Sequence, residues 1–268
     1  MLAGNFLLGS SLFHLGQLEA SLDHMTAASR AHGGSAESVL ALFAGPDIGV
    51  FCRAYLAHLA WHREDGNHAD GYAAEAIAAA AGMRHPFSQA IALDYAALLH
   101  VFQGESRAAL KRGREAVELC SRHGFAYYLA MANVVTGWAT AAEGDVDAGL
   151  AQLREGLEGM RRLGAEIRLP YYFTLLAETF GRAGLVGEAL ASLSTGFAFA
   201  SKNGEEWAVA ELHRVQGNLL AAQGKPESAR ASFRRGLEAA QRSGSLAFER
   251  KLSILAAGTA ATTSTERS

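Results

Sequence analysis

The chain has 268 residues, 50% of them hydrophobic, with four prolines, two cysteines and 24 basic against 27 acidic side chains for a formal charge of −3. No run reaches the ~20 apolar residues of a membrane span, and the interspersed charges form no concentrated basic face for nucleic acid. The start lacks the basic stretch and apolar core of an export signal, so Cys52 and Cys120 read as reduced thiols of a cytoplasmic protein.

In chain order, the first predicted element is a helical hairpin at 2–32, turning at Gly16. Phe6, Leu7, Leu8 and Phe13 make it apolar with no polar capping helix before it, which solenoids normally supply. The expectation is a chain cut from something longer, or association through this uncapped hairpin with a partner or a second copy. Gly33-Gly34-Ser35 then reads as a flexible turn and Leu40 to Phe43 as an apolar piece packing back on the helices. Five more hairpins are predicted at 47–83, 86–123, 125–163, 168–203 and 205–243. A closing helix follows at 246–256, its outer side polar through Glu249, Arg250 and Lys251. Residues 258–268 are too poor in apolar side chains to order themselves and are expected to be a disordered tail. Residues 1–257 are taken as one solenoid domain.

These elements rest on a period. Gly104, Gly144, Gly184 and Gly224 form one ladder of 40-residue steps, and Gly124, Gly164, Gly204 and Gly244 form another halfway between. Mere abundance of glycine does not keep register at two offsets; a two-element unit copied in tandem does. The intervening segments are rich in Ala, Leu, Arg and Glu, strong helix formers. From 145 to 163, Val146, Leu150, Leu153, Leu157 and Met160 recur at helical spacing. A helix commonly ends on a residue of positive φ, which glycine adopts without a Cβ clash. Around each turn small residues recur seven before, five after and twelve after, as with Gly137, Gly149 and Gly156 about Gly144, and Leu59 is the one exception when Gly66 is taken as the second hairpin's turn.

That spacing of small residues resembles the tetratricopeptide repeat, whose two helices meet at those intervals. The resemblance implies an all-α, right-handed superhelical solenoid of TPR-like hairpins of about 40 residues with a C-terminal capping helix. The closing proline of each repeat is missing, and the large position of the second helix is kept loosely by Met25, Leu153, Leu193 and Phe233. Further stretches are similar to the repeat region at the C-terminal end of large bacterial nucleotide-cyclase/AAA-type ATPase signalling proteins. They are Gly45-Pro46-Asp47-Ile48-Gly49-Val50, Gly137-Trp138-Ala139, Leu169-Pro170-Tyr171-Tyr172 and Gly204-Glu205-Glu206-Trp207. No residue matches the motifs of the cyclase or ATPase parts.

Motifs for chemistry are weak. His58 and His62 lie four apart, with Glu64, Asp65 and His68 after them, but Leu59 stands where a zinc-protease helix needs Glu, and packed or solvent-facing histidines are expected. Gly224-Lys225 is followed by Pro226 where a phosphate loop has Ser or Thr. Cys120 and His123 share a helix end without a third partner, and Arg161-Arg162 and Arg234-Arg235 read as solvated faces. No catalytic residue, cofactor or metal is predicted. By the resemblance, the first helix of each hairpin lines a concave groove. Carrying its positions over by their offset from the turn selects Arg53, Asp94, Tyr95, Trp138, Tyr171, Glu178, Arg182, Glu211, Arg214 and Asn218. The expected function is a non-enzymatic module that binds a peptide or partner domain there. For Trp138 and Tyr171 a space-filling role in the core is the competing expectation. The alternative function is a ligand-sensing segment of a multi-domain cyclase or ATPase signalling protein.

Overall fold

The computed structural model describes residues 2–32 and 45–265, with side chains described to 258. The expectations for 33–35 and 40–43 fall outside the described residues. All thirteen described elements are helices: α1 Leu2–His14, α2 Leu18–His32, α3 Ile48–His62, α4 Gly66–Met83, α5 Pro86–Gln103, α6 Ser106–His123, α7 Ala126–Ala142, α8 Val146–Arg162, α9 Leu169–Arg182, α10 Val186–Asn203, α11 Val209–Ala222, α12 Pro226–Ser243 and α13 Leu246–Thr265. Among the described residues there is no strand, and no helix is long and apolar enough to cross a membrane.

Local chemistry sets the boundaries. Asp47, Asp65 and Asp145 accept hydrogen bonds from the backbone N–H groups of Val50 (2.8 Å), His68 (3.3 Å) and Ala148 (3.1 Å), capping α3, α4 and α8. Pro86, Pro170 and Pro226 sit in the first turn of α5, α9 and α12, where a missing N–H costs nothing. The helix α13 runs to Thr265, past the 256 predicted for the closing helix and into the predicted tail. Ala256, Ala257, Ala260 and Ala261 supply helix propensity that an apolar-content argument overlooks.

The second hairpin corrects the turn assignment. Gly66 is the first residue of α4, and the left-handed position is Glu64, at φ 62°. Arg84, at φ 51°, closes α4 in the same conformation. Positions 64 and 84 are therefore lower rungs of the two 40-residue ladders, held by residues other than glycine. Counting from Glu64, the three small positions become Ala57, Ala69 and Ala76, at 2%, 0% and 1% exposure. The exception at Leu59 disappears.

By contacts the chain groups into two compact units, one of Met1–Phe13 and Glu19–Ala165, the other of His14–Leu18 and Glu166–Ser268. In the first unit each helix pair α3–α4, α5–α6 and α7–α8 packs internally, and α3, α5 and α7 pack on one another in sequence. These three helices are apolar all round and buried over most of their length, as such helices must be. Their partners α6 and α8 bury only a stripe of small and aliphatic residues and turn charged faces to water. One close approach is at Gly137, where a Cβ would stand 2.5 Å from the Leu153 backbone nitrogen and 2.7 Å from the Gly149 carbonyl oxygen. Two helix backbones in direct contact permit no side chain there. At the other end of this unit, Phe6 and Phe13 of α1 pack against Phe51 and Tyr55, while Leu7 and Leu8 are exposed.

In the second unit α9 packs on α10 and α11, α11 on α12, and α13 on α11 and α12. Here α9 and α11 begin five residues after Gly164 and Gly204, rather than two, and the added turns carry Arg168 and Trp207. Both side chains are fully buried.

Candidate functional site

In the first unit the predicted groove residues lie largely in the core. Tyr95 is 5% exposed, its ring stacked on His58 (centroids 5.1 Å apart) and edge-on to Tyr55 and Phe51. Its carbonyl oxygen accepts a hydrogen bond from Nε2–H of His58 at 2.8 Å. Asp94 and Trp138 are also buried, and Arg53 is half-buried with its Nε 3.5 Å from Glu75. The aromatic recognition surface expected of Tyr95 and Trp138 is thus an internal packing layer. Helices that are apolar all round need covering on every side, so the positions that line a groove in shorter repeats are filled here.

The histidines separate in the same way. His58 and His62 are buried among Phe13, Tyr95, Trp61 and Phe102, whereas His68 is exposed and pairs with Asp65 at 2.7 Å. Burial pushes both the Cys52 and the Cys120 thiol up to about 12, which suppresses the nucleophilic thiolate. The ring of His123 stacks on Phe125.

In the second unit the sequence-selected residues do come together. Arg214 of α11 donates from Nε and Nη2 to Glu211, both at 2.8 Å, and from Nη2 to Glu178 of α9. Glu211 and Arg214 are three apart and so share one helix face. Burial disfavours the charged guanidinium, but Glu211 and Glu178 outweigh it and hold Arg214 well above its ordinary value. Tyr171, 2% exposed, stacks on Trp207 at 5.1 Å, and burial with the two carboxylates raises its phenol well above the usual range. It too belongs to the core rather than to a surface. A further member escaped the sequence: Lys251 of α13, expected on an outer polar face, is half-buried and feels Glu211, Arg214 and Glu178. Desolvation lowers its ammonium below the ordinary lysine value.

Beside this cluster lies an open concavity of about 310 Å³, lined by Glu178, Gly181 and Arg182 from α9 and by Val215, Asn218 and Leu219 from α11. Three of its six lining residues were selected from the sequence. Arg182 is exposed and Asn218 partly so.

A second polar knot was not legible in the sequence. The carboxylate of Glu205, 3% exposed, accepts from the backbone N–H of Arg168 at 3.0 and 3.1 Å, from the indole N–H of Trp207 at 2.6 Å and from Nδ1–H of His14 at 3.1 Å. It lies at the N-terminus of α9, where negative charge is favoured. The Arg168 guanidinium lies 5.7 Å from the Trp207 ring centre. Desolvation lowers the His14 imidazole below its ordinary value, against the hydrogen bond to Glu205.

No family model matches the chain. Uncharacterized protein R02095 of Rhizobium meliloti (strain 1021) is 26% identical over 210 residues, which is 78% of this chain and 20% of that protein. The chain thus spans about a fifth of the relative's length. Among solved structures it is similar to a Rap protein complexed with Competence and Sporulation Factor (TM-score 0.63, 14% identity, 96% of this chain and 74% of that one). The apo form of RapI gives a TM-score of 0.56 at 12% identity, covering 98% and 99%. A STAND-type signal transduction ATPase with a tetratricopeptide repeat sensor, from Pyrococcus horikoshii, gives 0.52 at 12%, covering 95% of this chain and 38% of that one. The fold is a tetratricopeptide-like helical-repeat solenoid. This repeat fold builds extended surfaces from neighbouring helices.

Proposed function

We propose that the chain is a non-enzymatic interaction module that binds a peptide or partner domain on the face formed by α9 and α11. The observation that carries this reading is the open concavity between those helices. Glu178, Arg182 and Asn218 line it, and the half-buried Glu211–Arg214–Glu178 cluster stiffens its edge. A rigid support beneath adaptable polar groups is what peptide recognition requires. The Rap protein of similar fold that was solved with Competence and Sporulation Factor supports a bound partner. Arg53, Asp94, Tyr95, Trp138 and Tyr171 serve the module by fixing the helices.

A second reading is favoured by two findings: the relative is about five times longer than the matched region, and the STAND protein carries its repeats as a sensor. On that reading the repeats sense a ligand and bias a cyclase or ATPase domain elsewhere in a longer chain.

The test is affinity capture with the intact chain, identification of the captured protein by mass spectrometry, and calorimetry with the purified partner. Saturable binding that is lost in Asn218→Arg, which plugs the concavity, with helicity unchanged, is the expected outcome. Binding that survives this plug places the interface elsewhere.

A further inference from the structure

A hollow of about 200 Å³ lies within the first unit, between α7 and α8. The antiparallel packing of these helices sets which residues share a level. Asn133 of α7 stands beside Gln152 of α8, whose side-chain N–H donates to the Asn133 oxygen at 3.2 Å. Nearer the start of α7, Ala130 stands beside Gly159, where a Cβ would come within 3.0 Å of the Ala130 side chain. The hollow is therefore a short trough with unlike ends. At one end are Glu155, exposed on the rim, and Asn133, only 8% exposed. The Asn133 oxygen accepts one hydrogen bond and has a lone pair for a second. At the other end is Arg162. Glu158, 3.9 Å from the Arg162 Nε, is already held by Arg161 through both oxygens at 2.6 and 2.7 Å. Between the ends the wall is apolar, through Leu129, Ala130 and the exposed Leu163.

Size and spacing select the occupant. A volume of about 200 Å³ falls below the ~300–1,000 Å³ of drug-sized pockets, so one small molecule fits and a folded segment does not. Glu155 and Arg162 are seven residues apart on one helix, roughly 10 Å along its axis. Both side chains lean toward the N-terminus of α8, so their charged heads stay apart. An α-amino acid carries both charges on one carbon and meets one end only. A chain of about four or five methylene groups between the charges spans the trough at this rise per residue. We infer that the trough is a binding site for a small ω-amino carboxylic acid. Its ammonium group is held by Glu155 and the Asn133 oxygen, its methylene chain lies along Leu129, Ala130 and Leu163, and its carboxylate pairs with Arg162. The site uses none of the residues of the α9–α11 face and stands whether or not that face binds a partner.

The experiment is an NMR titration of the intact chain, following the Asn133 side-chain amide and the Gly159 backbone amide. The probes are δ-aminovalerate, pentylamine (the cation alone), valerate (the anion alone) and leucine (both charges on one carbon). Saturable shifts are expected with δ-aminovalerate, and binding about tenfold or more weaker with each of the other three, as loss of a charge-assisted hydrogen bond brings. The variants give a crossed pattern. Glu155→Gln is expected to weaken δ-aminovalerate about tenfold and to leave valerate unchanged. Arg162→Gln is expected to weaken δ-aminovalerate by a similar factor and to leave pentylamine unchanged. Both residues are exposed, so these variants leave the core intact. An absence of saturation with δ-aminovalerate, leucine binding equally well, or both variants binding δ-aminovalerate like wild type would overturn the assignment.

Discussion

Arg84 holds a left-handed backbone, φ 51°, at the end of α4, where the corresponding turns use Gly124, Gly164, Gly204 and Gly244. For a residue with a Cβ that conformation costs roughly 1–2 kcal/mol, against roughly 0.5–1 kcal/mol of extra chain entropy lost by glycine. Arg84→Gly is therefore expected to stabilise the protein by about 0.5–1 kcal/mol, read as a higher urea midpoint at unchanged slope. A second residue-level expectation concerns acid. Burial depresses the imidazole of His14, and likewise that of His213, below the ordinary 6.5. The unfolded chain then binds more protons than the folded one as pH falls below 6.5, so stability present above that value is lost on acidification. Melting temperature should decline below about pH 6.5, less steeply in His14→Asn, whose amide N–H can still donate to Glu205. A slope identical to wild type would remove His14 from the cause. Glu64, Arg84 and the Arg168–Glu205 pair also explain what the sequence hid. The period was readable where glycine marked it and unreadable where Glu or Arg took the same backbone angle. Glu205 meets Arg168 across 37 residues, with nothing local to announce it.

At the scale of helices, the approach of α7 to α8 is set by Gly137. Since a Cβ there would stand 2.5 Å from backbone, Gly137→Ala must push the two helices apart, at a cost of about 1–3 kcal/mol. An unchanged denaturation midpoint would refute this packing. The link between α9 and α11 has a different character. Arg214→Ala leaves the buried Glu211 and the half-buried Glu178 without their shared cation and is expected to cost about 1–3 kcal/mol. The triple change Arg214→Met, Glu178→Gln, Glu211→Gln should cost much less, because the penalty lies in the stranded charges rather than in the lost attraction. Equal losses in the two variants would contradict that view. Helix pairing was legible in advance because small residues at −7, +5 and +12 are required wherever two helices touch. The groove was legible only in part. Counting from the turn found Glu178, Glu211 and Arg214, but it could not show that Tyr95, Trp138 and Tyr171 are covered. Covering depends on the helices packed alongside, and the same offset that faces a groove in a shorter repeat faces a neighbour here.

For the molecule as a whole, helical-repeat architecture distributes extended surfaces along the chain. The described side chains fit that division. Both thiols are buried and held protonated, His58 and His62 are packed among aromatic rings, and Arg182 and Asn218 face an open concavity. Partner capture that is lost in Asn218→Arg with helicity retained is the result expected of such a surface.

The connections between helices are as open as the helix contacts are tight. At Gly104, Gly124, Gly144, Gly164, Gly184, Gly224 and Gly244 no other group comes within 4 Å of where a side chain would begin. Extra polypeptide spliced in at any of these points would extend into solvent and leave the packed small residues undisturbed. Such an array can acquire new loops, tags or whole inserted domains one connection at a time, each tried without putting the helices at risk.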